Sequence, residues 1–242
     1  MRPIPTIVFF FLFQIVPKQI IAQESDKEQA LYSFFDSITT IENSEIHSGL
    51  IYKEKHRTKS RKSKFFPEPN FVTGSVVFNN QPYYNLQIKY NVYDDELLLQ
   101  VKKKYGGDIL QVHKLNVNNF KLNNHSFLKI ENKKLGAGYY EVISIKNKLK
   151  LLLKRKKSIH EILDKKLVFY EFEDAKNEYY LSYKNNLYSI EKYTDFTSVF
   201  PDLETELTKH YKALASNLTF ESKLKKLLSH LDFLLTSTPT KI

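Results

Sequence analysis

Cysteine is absent from the 242-residue chain, and so is tryptophan. Without cysteine the protein has neither a disulfide framework nor a thiol nucleophile. Its stability must therefore come from a packed core, and a chain of this length is long enough to bury one. Acidic residues are the minority among the charges, with 27 Asp and Glu against 37 Lys and Arg.

The chain begins with a pattern typical of a secretory signal peptide. Arg2 precedes an apolar run over residues 7–13, and small Ala22 follows a second short apolar stretch. Pro17–Lys18 interrupts the apolar residues before they reach the roughly 20 needed to span a bilayer, which favours a cleaved signal over an uncleaved anchor. Removal of residues 1–23 leaves a net charge of +8. No cysteine follows, so a lipoprotein anchor is excluded. The predicted location is the periplasm, the outer-membrane surface or the extracellular space.

Apolar periodicity predicts a mainly β (α+β) fold. Short segments rich in β-branched and aromatic residues are separated by turn signals about every ten residues, which is typical of antiparallel sheet. In Tyr84 to Val92, apolar and polar residues alternate, and we expect pairing with Glu96 to Lys102 across Asp94–Asp95. Residues 156–163 read as a polar helix-like or loop insertion. The predicted architecture is an antiparallel meander sheet or open barrel of about ten strands, with a C-terminal helical hairpin.

The period changes after Pro201. One helix is predicted from Asp202 through Ala215 and a second from Glu221, with leucines at helical spacing. These leucines are expected to pack on the sheet: Leu207, Leu224, Leu228 and Leu231. The predicted organisation is a signal peptide (1–23), an N-terminal segment with a basic loop (24–70), an antiparallel β domain (71–191), a helical hairpin packed on the sheet (192–236) and a disordered tail (237–242).

An ordered series of short motifs runs through the β region. Residues 74–95 read G-S-V-V-F-N-x-x-x-Y-x-N-L-Q-I-K-Y-N-V-Y-D-D, residues 138–142 read G-Y-Y-E-V, and residues 151–157 read L-L-L-K-R-K-K. The series resembles a group of exported Bacteroidota proteins, over roughly Gly74 to Phe220. The group has no established activity, so the resemblance implies an exported location and transfers no functional residue.

A basic segment covers residues 53–64, where Glu54 is the single acid. A segment so highly charged is expected to form a solvated loop. Clustered cations displace counterions from phosphate arrays, so the segment is a candidate contact for lipopolysaccharide phosphates, acidic polysaccharide or nucleic acid, although export disfavours nucleic acid. The alternative is a solubilising loop. The candidate contacts are Lys53, Lys55, Arg57, Lys59, Arg61, Lys62 and Lys64.

A second basic run, residues 154–157, is interpreted as a set of lysines that protect an edge strand from pairing with another chain.

Recognisable catalytic and metal motifs are lacking. The seven histidines have no metal-binding spacing, and a zinc site from His210 and His230 is disfavoured because they lie on different predicted helices. Residues 94–96 lack the calcium-loop pattern and predict a turn with exposed acids. There is no G-x-S-x-G motif and no glycine-rich phosphate loop. The sequence therefore indicates no catalytic residue, metal site or cofactor.

Paired tyrosines suggest a binding surface. Tyr83–Tyr84, Tyr139–Tyr140 and Tyr179–Tyr180 are each expected to place one ring in the core and one outside, because neighbours on a strand face opposite ways. Outward rings are candidates to stack on sugars or to meet a protein partner, and the alternative is ordinary cross-strand packing. The sequence thus favours a non-enzymatic binding or scaffolding module of the cell envelope, with an envelope protein or acidic glycan as partner. The alternatives are a hydrolase with a dispersed site and a polyanion-binding surface protein.

Overall fold

The computed structural model describes residues 44–59, 62–103, 106–132 and 136–237, together with Lys27, Ala30 and Tyr32. The predicted signal peptide, the tail residues 238–242 and Arg61 lie outside the described residues.

One antiparallel sheet of twelve strands organises the described chain, and a separate two-stranded sheet, β11–β12, accompanies it. The main sheet is not closed: its strands run in the order β1, β6, β5, β4, β3, β7, β8, β9, β10, β13, β14, and β2 also pairs with β4. The predicted fold class is confirmed. The strands are β1 (Leu50–Ile51), β2 (Phe65–Phe66), β3 (Val72–Phe78), β4 (Gln81–Asn91), β5 (Glu96–Lys103), β6 (Gly106–Gln111), β7 (Val117–Leu122), β8 (His125–Asn132), β9 (Gly136–Lys146), β10 (Leu149–Lys154), β11 (Lys157–Asp164), β12 (Leu167–Asp174), β13 (Glu178–Tyr183) and β14 (Asn186–Ile190).

The register of β4 against β5 follows the alternation in the sequence. Ile88 pairs with Leu99, and Tyr90 pairs with Leu97. The alternating apolar side chains of β4 are buried, whereas Lys89 on the other face reaches the carbonyl oxygen of Pro69. A shift of one residue would exchange the two faces and bury the lysine.

Asparagine and lysine supply most of the left-handed turn residues in this glycine-poor chain. Asn79 and Asn80 (φ 51° and 64°) connect β3 to β4, and Lys165 and Lys166 (φ 47° and 67°) connect β11 to β12. Positive φ at both central residues matches the right-handed twist of the flanking strands. These tight turns close the β3–β4 and β11–β12 hairpins, whereas the β1–β6 and β3–β7 pairs join strands that are distant in sequence.

The expected insertion at residues 156–163 is wrong, because residues 157–164 form strand β11. Its apolar residues, Ile159, Ile162 and Leu163, have a helix-like spacing. Pairing with β12 overrides that local pattern, since Ile159 lies opposite Phe172 and Ile162 opposite Phe169.

The C-terminal region contains three helices rather than two. They are α1 (Thr194–Val199), α2 (Glu204–Ala213) and α3 (Phe220–Ser237), and short 3-10 turns occupy Glu45–Ser48, Lys114–Asn116 and Pro201–Leu203. Helix α1 was not anticipated. The first predicted helix starts later than expected because Pro201 opens a 3-10 turn before α2.

The helices cover one face of the second half of the sheet. Leu207, Leu224, Leu228 and Leu231 are fully buried against Leu149, Leu151, Leu181 and Ile190 of β10, β13 and β14. A larger cluster fills the same side of the first half, with Tyr90, Phe120, Phe127 and Tyr139 among its rings.

A third cluster, on the opposite face of β9, β10 and β13, joins Tyr140, Leu152 and Tyr180. The expectation of one ring inside and one outside is therefore wrong at Tyr139–Tyr140, where both rings are buried. The reason is that Tyr140 packs edge-to-face on Tyr180 of β13, so the side chains of neighbouring strands bury each other on this face.

None of the described helices has the length and apolar character needed to cross a membrane.

The helical face can be tested with two substitutions on α3. Leu228→Asp places a charge in the fully buried contact with the sheet, and we expect it to lower the free energy of unfolding by at least about 3 kcal/mol. Lys226→Asp, on the exposed side of the same helix, should be nearly neutral. Denaturant titration measures both, and equal stability of the two variants would contradict the assigned face.

Candidate functional site

A cluster of charges surrounds Asp95 at the turn between β4 and β5. The Asp95 backbone adopts a left-handed conformation (φ 56°), which directs its carboxylate towards strands β9 and β10. The carboxylate accepts hydrogen bonds from the Tyr90 hydroxyl at 2.6 Å and from Lys114 Nζ at 2.6 Å. Lys154 Nζ lies 2.7 Å away, and the backbone N–H of Tyr139 points at both oxygens.

The lysines keep Asp95 ionised. Burial by itself raises the pKa of Asp95, but attraction to Lys154 and the hydrogen bonds from Lys114, Lys154 and Tyr90 outweigh it and hold the pKa below its ordinary value. Gly138 makes room for this contact, since a Cβ there would lie 2.8 Å from Lys154 Nζ. The acids at this turn were expected to be exposed, and for Asp95 that prediction is wrong.

A second buried carboxylate, that of Glu141 on β9, binds His125 and Arg155. One oxygen lies 2.5 Å from His125 Nδ1, and the other accepts a hydrogen bond from Arg155 Nε at 2.6 Å. The Arg155 guanidinium also stacks 3.7 Å from the centroid of the Phe66 ring. Both oxygens of Glu141 are therefore occupied, which makes this group an internal ion-pair network.

Each residue of the second basic run has an acidic partner. Lys154 binds Asp95, Arg155 binds Glu141, Lys156 lies 3.3 Å from Glu178, and Lys157 lies 2.8 Å from Asp174. The edge-strand interpretation is wrong, because β10 lies between β9 and β13.

The first basic segment is a loop whose described residues are mostly exposed, as expected, but Lys64 at its end is buried. Only 3% of the Lys64 side chain is exposed, and its Nζ lies 2.6 Å from Glu54 and 3.7 Å from Asp94. Burial raises the pKa of Glu54, but the hydrogen bond from Lys64 outweighs it and the net shift is downwards. Lys64 can be buried because two acids neutralise it.

Other members of this segment lie along the β11–β12 hairpin. Lys59 pairs with Asp164, Lys62 Nζ lies 2.6 Å from Glu173, and the carbonyl oxygen of Arg57 accepts the N–H of Tyr170. Lys53 and Lys55 are exposed, and Arg61 lies outside the described residues. The structure therefore brings Lys59, Lys62 and Lys64 to acidic partners instead of presenting all seven candidates on one free surface.

A cavity of about 770 Å³ opens where β13 begins and β14 ends. We call it the tyrosine cavity; residues 176–180, residues 189–191 and Phe220 line it. Phe220, the first residue of α3, packs edge-to-face on Tyr179 with ring centroids 5.4 Å apart. The Tyr180 hydroxyl donates a hydrogen bond to Glu178 at 3.0 Å.

Both tyrosines of this cavity keep their protons near neutral pH. Burial, followed by the negative charge of Glu221, raises the pKa of Tyr179. Burial and the hydrogen bond to Glu178 raise the pKa of Tyr180. Their hydroxyls therefore act as neutral hydrogen-bonding groups.

Two shallower cavities, of about 420 and 580 Å³, lie between the basic segment and the hairpin. Lys62, Phe65 and Phe172 line both of them. Their lysines are the ones already paired with acids, and His125 and Glu141 line none of the three cavities described here.

The two helix histidines are brought together by the fold. The rings of His210 and His230 stack 4.0 Å apart at an interplanar angle of 8°. Burial, the neighbouring His230 and Lys226 lower the pKa of His210. Parallel rings do not direct their nitrogens at one point, and the described residues contain no group of three metal-binding side chains.

No family model, curated protein or solved structure matches this chain.

Sequence reasoning found part of the tyrosine cavity and missed the rest. One ring of the Tyr179–Tyr180 pair was expected in the core and one outside; Tyr180 is buried and Tyr179 is half-buried. No pattern in the sequence indicated that Phe220 would line the cavity, because its position there depends on how α3 packs on the sheet.

The Asp95 cluster can be tested with Asp95→Asn, which keeps a residue that tolerates the left-handed backbone. The substitution leaves Lys154 buried beside an uncharged group, and we expect a loss of about 3–5 kcal/mol in the free energy of unfolding. Asp174→Asn is the matched control, since Asp174 is 91% exposed and its bridge to Lys157 should contribute little. A small effect of Asp95→Asn, equal to that of the control, would contradict the assigned role.

The same variants should differ in how strongly their stability depends on pH. The pKa of Asp95 is lower in the folded chain than its ordinary value of 3.8, so its stabilisation is present above that value and lost as the pH falls through the folded pKa. Wild type and Asp174→Asn should therefore lose more stability than Asp95→Asn as the pH is lowered from about 5 in denaturant titrations. Parallel curves for all three would contradict the assignment.

Proposed function

We propose that this protein is an exported, non-enzymatic binding module of the cell envelope, and that its tyrosine cavity binds a neutral oligosaccharide. The observation that carries the proposal is the edge-to-face pair of Tyr179 and Phe220 in one open cavity that polar groups also line. Its volume falls in the range of small-molecule sites, roughly 300–1,000 Å³.

The chemistry of the lining favours a sugar. Aromatic faces stack on the apolar faces of sugar rings, and the rim offers hydrogen-bonding groups in Asn177, Glu178, Ser189 and Glu191. The lining holds Glu178 and Glu191 with one lysine, Lys176, so it has no excess of positive charge to attract an acidic glycan, which makes a neutral glycan the better fit for this cavity.

The charged clusters support a binding module over a hydrolase. A general acid or base must reach the substrate, whereas both oxygens of Glu141 are held by His125 and Arg155. Asp95 is likewise held by two lysines. These carboxylates therefore stabilise the fold.

Export is supported by the leading segment of the sequence. The basic residue, the interrupted apolar run and the small residue at position 22 follow the secretory pattern, and the ordered motifs resemble exported Bacteroidota proteins. Glycans of the cell envelope would be accessible at such a location.

The cavity can be tested by screening the purified protein against neutral and acidic oligosaccharides and measuring the affinity of each hit by calorimetry. Phe220→Ala removes one ring and should weaken binding by about tenfold. Phe233→Ala is the matched control on the same helix, since its ring is exposed and lies outside the cavity.

Circular dichroism and thermal unfolding confirm that both variants are folded before binding is compared. Binding of a neutral glycan that is lost in Phe220→Ala and retained in Phe233→Ala supports the proposal. Failure of every neutral oligosaccharide to bind, or equal affinity in both variants, would overturn it.

A further inference from the structure

The β11–β12 hairpin presents an apolar tip that nothing in the described chain covers. Four large apolar side chains are exposed there, and Leu163 is the most exposed at 75%. The apolar tip comprises Ile162, Leu163, Leu167 and Val168.

These side chains lie on both faces of the hairpin. Leu163 is paired with Val168 on one face, and Leu167, opposite Asp164, lies with Ile162 on the other. Exposed apolar groups on both faces indicate an environment that surrounds the tip, since a flat protein partner covers one face only.

Two exposed lysines lie at the end of the apolar tip. Lys165 and Lys166 form its turn, and Lys59 reaches in from the basic segment, with its Nζ 4.1 Å from the centroid of the Phe169 ring. The nearest acid, Asp164, is paired with Lys59. Glu161, which is exposed on β11, is the other acid close to the tip.

The turn itself is an unusual place for two lysines. Both have positive φ, a conformation that glycine and asparagine adopt more readily. The β3–β4 turn, by contrast, uses two asparagines. Two cations at the tip are therefore not explained by the backbone geometry of the turn.

We propose that the apolar tip inserts into the headgroup region of an anionic lipid bilayer, with Lys165 and Lys166 contacting the lipid phosphates. Apolar side chains beside lysines are the combination that binds such surfaces, because burial of the apolar groups adds to the attraction between lysines and anionic lipid. This inference is independent of the tyrosine cavity.

The test is sedimentation of the whole purified chain with vesicles of phosphatidylcholine alone and with vesicles containing phosphatidylglycerol. We expect binding to the anionic vesicles that weakens as salt is raised. The apolar leading residues are shared by every variant, so the comparison between variants carries the test. No preference for anionic vesicles would overturn the proposal.

Two matched pairs of variants separate the tip from the rest of the surface. Lys165→Glu and Leu163→Glu should each weaken binding to anionic vesicles by about tenfold. The controls are Lys184→Glu, at a turn position with the same φ of 47°, and Leu115→Glu, at an equally exposed leucine. Equal loss in the controls would overturn the assignment to the tip.

A soluble polyanion distinguishes a lipid surface from phosphate in general. Long-chain inorganic polyphosphate carries the charge without the apolar layer, so in Leu163→Ser, which removes the apolar side chain without adding a charge, vesicle binding should weaken and any polyphosphate binding should not change. If Leu163→Ser binds vesicles as tightly as wild type, the tip is not inserted and the contact is with a polyanion only. That result would overturn the proposal.

Discussion

The Asp95 carboxylate joins parts of the chain that are far apart in sequence. The turn between β4 and β5 supplies it, Lys114 and Lys154 neutralise it, and the Tyr139 amide of β9 donates to it. The paired residues of β9 and β10 end at Glu141 and Leu153, so this amide lies beyond the ladder and finds its acceptor in a side chain. One buried charge thus holds the β4–β5 turn against β9 and β10, which are separated from it by several strands in the order of the sheet.

Glu141, two residues after Tyr139 on β9, is a second buried carboxylate that connects parts of the structure. Tyr139 belongs to the cluster of the first half of the sheet and Ile143 to the cluster beneath the helices, and Glu141 lies between them on the same face. A polar residue there would be costly alone, but Arg155 and His125 satisfy it. The ion pair therefore marks the boundary between two apolar cores that share one sheet.

Strands and turns could be predicted from the sequence because they are encoded locally. The alternation in β4 fixed both its buried face and its partner, and asparagines marked several of the turns. Strand β11 was misread because its pairing with β12, and not its own spacing, decides its structure. The ion pairs could not be predicted for a related reason: Asp95 and Lys154 are distant in sequence, and no local pattern pairs them.

The candidate sites were predicted in part for the same reason. The tyrosine pair at the start of β13 was visible as a pattern, whereas Phe220 joins it only after α3 has packed on the sheet. The basic segment was visible as a charge cluster, but its partners Asp164, Glu171 and Glu173 lie on a hairpin more than a hundred residues later. A charge cluster in a sequence gives the total charge of a surface, and the fold decides how much of that charge remains available.

The β11–β12 hairpin and the tyrosine cavity are connected through hydrogen bonds of the Lys156 backbone. The N–H of Ala175, just after β12, donates to the carbonyl oxygen of Lys156, just before β11. Lys156 in turn donates its own N–H to the side chain of Asn177, which lines the cavity. The strands before and after the hairpin, β10 and β13, are paired with each other. Both ends of the hairpin are therefore held at the sheet. A ligand in the cavity and a surface at the hairpin tip would therefore be positioned by the same pair of central strands, without a flexible linker between them.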